Sequence, residues 1–422
     1  MNRTAPNNPS PAPPAPPAPP ALATFTRYEK FVIALLAFLQ FTVILDFGIL
    51  APLGPMLMPA LNITAAQFST VVSVYAFAAG ASGFLTAGFA DRFDRKRLLL
   101  VFYAGFLLST LWCGYAPTFH LLLTARIATG IFGGVIGSIT GAIITDLFPM
   151  AVRGRVMGWV QAAFSASQII GIPLGFWLGN NFGWHQPFRV IAIIGLLVGI
   201  VIVAKLKPLT AHLRYQAGRH PLKHLVTVAT TPRYLIGFAA MILTATGAYM
   251  IAPFATVFSI HNLGVPAKTI PMLFMAAGGV GLVAGPLLGR LADAIGKFKV
   301  LTVSTALHLC YIIWYTHLGP SPLWLVFAAQ CTFAVLLSGR ISSTAALVSA
   351  VPAPSDRGAY MSVSSSMQQL SGGVASWIAG MVVMTGTAGE ITNYYVLGWI
   401  IAGTMTATWL QMRLVNKMVA KG

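Results

Sequence analysis

Long apolar stretches recur along most of the chain, and short polar or basic stretches separate them. Each has about 18 residues or more, the length that an α-helix needs to cross the hydrocarbon layer of a membrane. The stretches are too uniformly apolar for membrane β-strands, which alternate between apolar and polar residues. The sequence therefore predicts an all-α membrane protein with twelve transmembrane spans. Their approximate limits are 31–53, 66–90, 98–116, 119–145, 156–180, 187–204, 234–259, 269–290, 299–318, 322–349, 358–384 and 392–414.

The longest polar interval between spans covers about residues 205–234 and divides the spans into two sets of six. We therefore predict two six-helix bundles joined by a central linker. The first residues are rich in Pro and Ala, which predicts a disordered, polyproline-like tail. The predicted limits are 1–24 for this cytoplasmic tail, 25–206 for the N-terminal bundle, 207–232 for the cytoplasmic linker, 233–416 for the C-terminal bundle and 417–422 for a second cytoplasmic tail.

Composition excludes a soluble protein, because 57% of the 422 residues are hydrophobic and 8% are charged, against about 25% charged residues in soluble domains. The net charge of +18 reports orientation rather than a nucleic-acid partner. With the N-terminus inside, only Arg189 and Lys268 fall on the far side, and excess Lys and Arg mark cytoplasmic loops. We expect a monomer in the plasma (cell inner) membrane, with both termini cytoplasmic and the lipid bilayer as its neighbour.

Motifs for catalysis are missing from the sequence. It has no Gly-x-x-x-x-Gly-Lys-Ser/Thr loop for nucleotide phosphates and no His-Glu-x-x-His zinc motif. The cysteines Cys113, Cys310 and Cys331 all fall inside predicted spans, without disulfide or metal-ligand spacing. We therefore expect no enzyme activity and no bound cofactor or metal.

An internal repeat links the two halves. "AGFADRFDRKR" lies between the second and third spans, and "GRLADAIGKFK" lies between the eighth and ninth. Asp91 aligns with Asp293, and Arg95 aligns with Lys297. Parallel six-helix halves are an architecture of secondary transporters.

The repeated loop resembles the signature of the major facilitator superfamily, Gly-x-Leu-Ala-Asp-Arg-x-Gly-Arg-Lys/Arg. The resemblance covers essentially the whole chain beyond the tail and implies a transporter of two six-helix bundles that works by alternating access. The first copy departs from the signature at Ala87 and Asp94. The matching residues are Ala90, Asp91, Arg92, Arg95 and Lys96 in the first copy, and Gly289, Leu291, Ala292, Asp293 and Gly296 in the second.

These loops carry a candidate conformational latch. Their acids can cap a facing helix N-terminus, and their cations can bind neighbouring carboxylates, so that the halves would be held together on the cytoplasmic side. The alternative is a plain basic loop, which does not explain the recurring Asp. The candidate latch residues are Asp91, Arg92, Arg95, Asp146, Asp293 and Lys297.

The fourth and fifth spans carry a second resemblance. Arg126 is followed by Gly130, as in the fourth helix of the family, and the fifth span has Gly171, Pro173 and Gly175. Drug/proton antiporters have an adjacent Gly-Pro in this helix, whereas Ile172 intervenes here, which is closer to efflux permeases for sugars and small metabolites. Glycines at every fourth residue favour close helix packing, with a substrate role as the alternative. They are Gly133, Gly137 and Gly141, then Gly171, Gly175 and Gly179, and Gly281, Gly285 and Gly289.

Asp46 is the one carboxylate deep inside a predicted span, and intramembrane acids are usually functional. It lies seven residues from the outer end of the first span, and Arg126 lies seven residues from the outer end of the fourth. At 1.5 Å per residue both are about 10 Å deep. We expect the two to pair and to couple transport to protons. The alternative is a static structural ion pair.

Other polar residues inside the spans are candidates for a substrate cavity. Arg340 has no acid to pair with in the C-terminal spans, so it would either hold an anionic substrate group or extend to the cytoplasmic interface. Amides and phenols suit hydrogen bonds to a hydroxylated or zwitterionic solute; the alternative is hydrogen bonding between helices. These candidates are Gln161, Gln168, Tyr249, Gln368 and Gln369.

The sequence thus supports proton-coupled efflux of a small organic solute. A proton-coupled uptake symporter on the same fold is the first alternative, and a non-transporting membrane sensor or scaffold is the second.

The predicted topology is tested by labelling with a membrane-impermeant thiol reagent in a background without native cysteines. A Cys at Lys268 should react from outside intact cells, and a Cys at Arg214 should not, because the two lie on opposite sides of the membrane. The reverse pattern would overturn the topology.

Overall fold

The architecture of the chain is given by a computed structural model, which describes residues 25–210, 221–353 and 356–421. The predicted tail, residues 1–24, lies outside these ranges, as does part of the linker. The described chain is mainly helical, and its long helices form the two six-helix bundles expected from the sequence. Within the described ranges, ten helical segments are long and apolar enough to cross a membrane by length and composition, against the twelve spans predicted from the sequence.

The helices begin and end close to the predicted spans. In chain order they are α1 (Arg27–Ile49), α2 (Gly54–Leu61), α3 (Ala65–Phe89), α4 (Arg95–Cys113), α5 (Phe119–Leu147), α6 (Met150–Ala166), α7 (Ile172–Phe182), α8 (Gln186–Lys205), α9 (Pro221–Thr230), α10 (Pro232–Ile251), α11 (Ala255–Val257), α12 (Ile270–Ile295), α13 (Lys297–Thr316), α14 (Leu323–Val348), α15 (Arg357–Val382) and α16 (Tyr394–Lys421), with a two-stranded antiparallel ribbon of β1 (Met384–Thr385) and β2 (Ile391–Thr392).

Local sequence explains where several of these helices begin. Thr26 precedes α1, and its hydroxyl accepts from the Glu29 backbone N–H at 3.2 Å while the Glu29 carboxylate accepts from the Thr26 N–H at 2.8 Å. Thr64 and Gln67 make the same reciprocal pair ahead of α3. Each pair satisfies two backbone donors that a helix start leaves without partners.

Three details differ from the sequence prediction. The first span ends at Ile49, because the chain turns there and continues as the short helix α2. The linker predicted for residues 207–232 contains a helix, α9. The tail predicted for residues 417–422 is helical as far as Lys421, since α16 continues without a break.

Two π-helical turns interrupt long segments. One, Ser167–Gly171, joins α6 to α7 and makes the fifth span a single helical segment. The other, Phe258–Asn262, follows α11. Such turns add a residue locally and change the direction of the following side chains. The first turn lies against α12 of the other bundle, where Gly278 packs on the Gln168 backbone.

The bundles meet through apolar side chains at one end of the molecule. Leu53 and Phe68 of the N-terminal bundle belong to the same buried cluster as Phe254 and Val257 of the C-terminal bundle, and the rings of Phe68 and Phe254 are 6.3 Å apart. This "closed end" is opposite the basic loops. Nearer the basic end each bundle has an apolar cluster of its own, and Phe84 of α3 packs against the cluster of the C-terminal bundle. The bundles therefore share one large apolar cluster at the closed end, while α3 and α15 remain in contact further along, where Gly80 lies against Leu370.

Only some of the regularly spaced glycines pack against another helix. A side chain at Gly130 would collide with the Tyr75 backbone of α3, and side chains at Gly171 and Gly175 would collide with Leu45 and Ile49 of α1. These glycines let α5 and the fifth span approach their neighbours closely. The packing interpretation is wrong for a second set, beside which there is open space. This set is Gly137, Gly141, Gly281, Gly285 and Gly289.

Cross-linking tests which end is closed. In a cysteine-free background, Phe68→Cys with Phe254→Cys should be joined efficiently by a short thiol cross-linker, because both positions lie in one cluster. The control pair, Thr145→Cys with Ser349→Cys, lies at the basic ends of α5 and α14 and should remain unlinked. The chain is cleaved in the linker after cross-linking, and the two halves are separated on a denaturing gel. Linked halves migrate together as one band. Preferential linking of the control pair would contradict the described arrangement.

Candidate functional site

The predicted charge pair inside the N-terminal bundle is present. Arg126 Nη1 of α5 donates to Asp46 Oδ2 of α1 at 2.8 Å, and both side chains are fully buried. The same Nη1 lies 3.3 Å from the Asp46 backbone oxygen. The equal depths inferred from the sequence thus correspond to direct contact between the two side chains.

Two further side chains complete the surroundings of this pair. The Thr110 hydroxyl of α4 donates to Asp46 Oδ1 at 3.1 Å. The Arg126 guanidinium lies over the Tyr75 ring of α3, 4.5 Å from its centroid. A desolvated cation over an aromatic ring is stabilised by about 2 kcal/mol. Four helices therefore meet at the pair, and the close approach of α3 and α5 at Gly130 brings Tyr75 within reach.

The pair leaves donors unused. Arg126 Nε and Nη2 are buried and have no hydrogen-bond partner among the described residues. A guanidinium can donate five hydrogen bonds, so Arg126 retains the capacity to bind another acceptor. The site is therefore charge-balanced but incompletely hydrogen-bonded. A water molecule that enters, or the carboxylate after a shift, could accept a hydrogen bond from Arg126 Nε or Nη2.

Aromatic rings connect the pair to the other bundle. Phe47 follows Asp46 on α1, and its ring lies 5.0 Å from the Tyr75 ring and 5.9 Å from the Tyr249 ring of α10. The Tyr249 hydroxyl donates to Gln369 Oε1 of α15 at 2.6 Å. A continuous series of contacts thus runs from Asp46 and Arg126 across the interface between the bundles. Tyr249 and Gln369 are half-buried.

The structure separates the remaining cavity candidates. Gln368 is half-buried beside Gln369, and Gln168 is half-buried at the contact with α12. Gln161 is exposed. Arg340 is 2% exposed, which contradicts the alternative that it extends to the interface.

Among the latch candidates, Arg95 and Asp146 form an ion pair, with Arg95 Nε 3.0 Å from Asp146 Oδ2. This pair joins α4 to α5 within one bundle and does not bridge the halves. Asp293 is exposed and Lys297 is half-buried, and neither makes an ion pair in the described part of the chain. Arg92 is exposed, and the Asp91 side chain lies outside what the structure describes.

Asp94, which departs from the family signature, has a structural role of its own. It precedes α4, and its Oδ1 accepts from the Lys96 N–H at 3.0 Å and from the Leu209 N–H at 2.8 Å. The Lys96 ammonium donates to the Val203 oxygen at 2.9 Å. Asp94 therefore caps α4 and also attaches the start of the linker to the N-terminal bundle.

Sequence reasoning missed three residues of the site: Phe47, Tyr75 and Thr110. All three are residue types that occur commonly within membrane helices, and neither their charge nor their spacing distinguishes them. Only the adjacency of Phe47 to Asp46 gave a signal. Tyr75 and Thr110 belong to the site because of how α3 and α4 are rotated, which the apolar pattern does not determine.

Removal of one member of the pair should be more harmful than removal of both. Asp46→Ala leaves Arg126 buried without a counter-charge, which costs about 3–5 kcal/mol. The double variant Asp46→Ala with Arg126→Met should lose much less stability, because no buried charge remains. The measurement is unfolding of the purified protein in detergent, with the exposed Arg413→Ala as control. Additive losses in the double variant would show that the charges do not depend on each other.

Three similar sequences carry the names of transporters or of a resistance protein. The chain is 26% identical to the MFS-type transporter YceJ of Bacillus subtilis over 87% of this chain and 94% of that protein. It is 26% identical to multidrug resistance protein 2 of Bacillus subtilis, over 62% of this chain and 66% of that protein. It is also 26% identical to a probable sugar efflux transporter of Mannheimia succiniciproducens, over 56% of this chain and 58% of that protein.

Solved structures share the fold. A bacterial homologue of the human lysosomal transporter Spinster, in an inward-facing and unoccupied conformation, has a TM-score of 0.70 and 16% identity, with 94% of this chain and 97% of that chain covered. A D-xylose-proton symporter has a TM-score of 0.72 and 16% identity, with 90% and 97% covered.

The model of one family also matches the sequence across nearly all of both bundles, at residues 36–376 and 241–415. Together with the two six-helix bundles and the repeated loop, this match shows that the chain belongs to the Major Facilitator Superfamily of membrane transporters.

Proposed function

We propose that this protein exports a small organic solute across the plasma membrane in exchange for protons, by alternating access. The observation that carries the proposal is the buried contact between Asp46 and Arg126, joined by aromatic rings to the opposite bundle. Two relatives with efflux or multidrug resistance in their names support the outward direction.

Asp46 is the proposed proton site. Burial favours the protonated form of a carboxyl, and a nearby guanidinium favours the ionised form. If the contact to Arg126 opens and closes during the transport cycle, the proton affinity of Asp46 changes with it. A tenfold change in proton affinity corresponds to about 1.4 kcal/mol, so a hundredfold change would bias the equilibrium between two bundle arrangements strongly.

Tyr249 and Gln369 are the proposed contact points for the solute. They already share a hydrogen bond of 2.6 Å, and a solute hydroxyl or amide could replace either partner. Because Phe47 packs on Tyr249 and is adjacent to Asp46, displacement of Tyr249 by the solute would be felt at the proton site. Gln168, half-buried where the fifth span meets α12, and Gln368, half-buried on α15, are candidates for further contacts.

The described conformation corresponds to an inward-open state in this proposal. The apolar cluster of Phe68 and Phe254 closes one end, and the basic loops at the other end would face the cytoplasm. The candidate latch residues Asp91, Arg92, Asp293 and Lys297 belong to that basic end and would engage when it closes. The Arg95–Asp146 pair would hold α4 and α5 together in both states.

Uptake of the solute together with protons is the second candidate, because the same proton site could serve it. An imposed pH gradient distinguishes the two. Antiport into proteoliposomes needs an acidic lumen, whereas symport needs an acidic exterior. Counterflow of labelled sugars, nucleosides, amino acids and cationic drugs first identifies the solute.

The proton role is tested with Asp46→Asn, which keeps the size of the side chain and removes its titration. Accumulation driven by an acidic lumen should fall to the level of empty liposomes, because no proton can be exchanged at this site. Counterflow, which needs no net proton movement, should persist. Glu390→Gln, at a loop acid far from the pair, is the matched control and should accumulate solute like the wild type.

If the Asp46→Asn variant still accumulates solute from an imposed pH gradient, the pair of Asp46 and Arg126 has a structural role and does not couple transport to protons. If the wild type accumulates solute only with an acidic exterior, the protein is an uptake symporter and the efflux proposal is wrong. A wild type that shows neither counterflow nor accumulation with any solute class would favour a sensor or scaffold.

A further inference from the structure

Polar side chains without partners lie between α13 and α14, inside the C-terminal bundle. Arg340 is 2% exposed and His308 is 1% exposed. Arg340 Nε, both His308 ring nitrogens and the Tyr311 hydroxyl have no hydrogen-bond partner among the described residues. Since buried polar groups nearly always have partners, four such atoms on two adjacent helices require an explanation.

These side chains face one another. The Phe333 ring of α14 lies 5.4 Å from the His308 ring and 6.1 Å from the Tyr311 ring of α13. Arg340 follows Phe333 by seven residues, which places both on one face of α14. Next to Arg340, the Gly339 backbone lies against the Ser304 side chain, one turn from His308.

The direction in which side chains lean along a helix brings the Arg340 guanidinium closer to His308. Side chains lean toward the N-terminus of their own helix, and α14 runs opposite to α13. The Arg340 guanidinium therefore extends from the level of Ser304 toward that of His308.

No acid balances this cation. The three acids of the C-terminal half are Asp293, Asp356 and Glu390. Asp293 is exposed, Asp356 accepts from the Tyr234 hydroxyl at 2.7 Å, and Glu390 accepts from a backbone N–H of its own loop at 2.9 Å. An arginine remains protonated in proteins, and an isolated buried charge is very costly. In the described part of the chain Arg340 Nε has no partner and no carboxylate pairs with the guanidinium, so a bound anion would supply both an acceptor and a counter-charge.

We propose that α13 and α14 hold a small anion, of the size of chloride or formate, bound by the Arg340 guanidinium and the His308 ring. The Tyr311 hydroxyl can donate from the adjacent turn. The helices approach each other closely at Gly339 and Ser304, directly beside Arg340, which favours a small ion over a bulky one. The site is separate from the Asp46–Arg126 pair, which is in the other bundle and is already balanced.

The experiment uses the full-length protein in nanodiscs of neutral phosphatidylcholine, with chloride replaced by the bulky anion gluconate at constant ionic strength. Chloride titrated into the gluconate buffer should raise the unfolding temperature of the wild type in a saturable manner. Arg340→Met should weaken the apparent affinity for chloride at least tenfold, because a charge-assisted hydrogen bond is lost. In gluconate alone this variant should unfold at a higher temperature than the wild type, because the unbalanced cation is gone.

The matched control is Arg413→Met, which removes an exposed arginine of the same bundle and should respond to chloride like the wild type. Arg340→Lys, which keeps the charge with fewer donors, should bind chloride with intermediate affinity and serves if Arg340→Met does not fold. Equal stability of the wild type in chloride and gluconate would overturn the proposal. So would chloride protection that Arg340→Met and Arg340→Lys retain in full.

Discussion

A charge buried inside a membrane protein is costly unless an opposite charge lies beside it, and the N-terminal bundle is arranged around that constraint. Asp46 and Arg126 come from helices that are far apart in sequence, and they meet at 2.8 Å only because α1 and α5 are held at the right depth and rotation. The Thr110 hydroxyl donates a hydrogen bond to the second carboxylate oxygen, and the Tyr75 ring lies against the guanidinium. The absence of a side chain at Gly130 allows α3 to come close enough for Tyr75 to do so.

The two bundles derive from one repeated plan but differ in how they treat buried charge. The N-terminal bundle balances its cation with a carboxylate, whereas the C-terminal bundle buries Arg340 without an acid. The C-terminal bundle instead contributes a phenol and an amide to the interface, Tyr249 and Gln369. This asymmetry allows proton chemistry to reside in one half and solute contacts to involve the other, with Phe47 as the contact between them.

The approximate limits of the long helices, the division into halves and the depth of the charge pair followed from the sequence, because they depend on distances along the helix axis. What the sequence left open depends on rotation about that axis. Tyr75 and Thr110 were not recognised for this reason, and the glycines at Gly137 and Gly281 were assigned to packing although they border open space. Lipid is as apolar as the interior of a bundle, so apolar patterning does not show which face of a membrane helix lies inward. The π-helical turn at Ser167–Gly171 adds to the difficulty, because it changes the register of the fifth span.

The attachment of Leu209 to Asp94 fixes the point at which the chain leaves the N-terminal bundle. The next helix, α9, begins at Pro221. Twelve peptide steps separate the two residues, and a fully extended chain of that length spans about 40 Å. A connection of this contour length can follow a movement of one bundle relative to the other. The covalent connection can therefore keep the halves together without setting the amplitude of their movement, and that limit is left to the surfaces where the bundles touch.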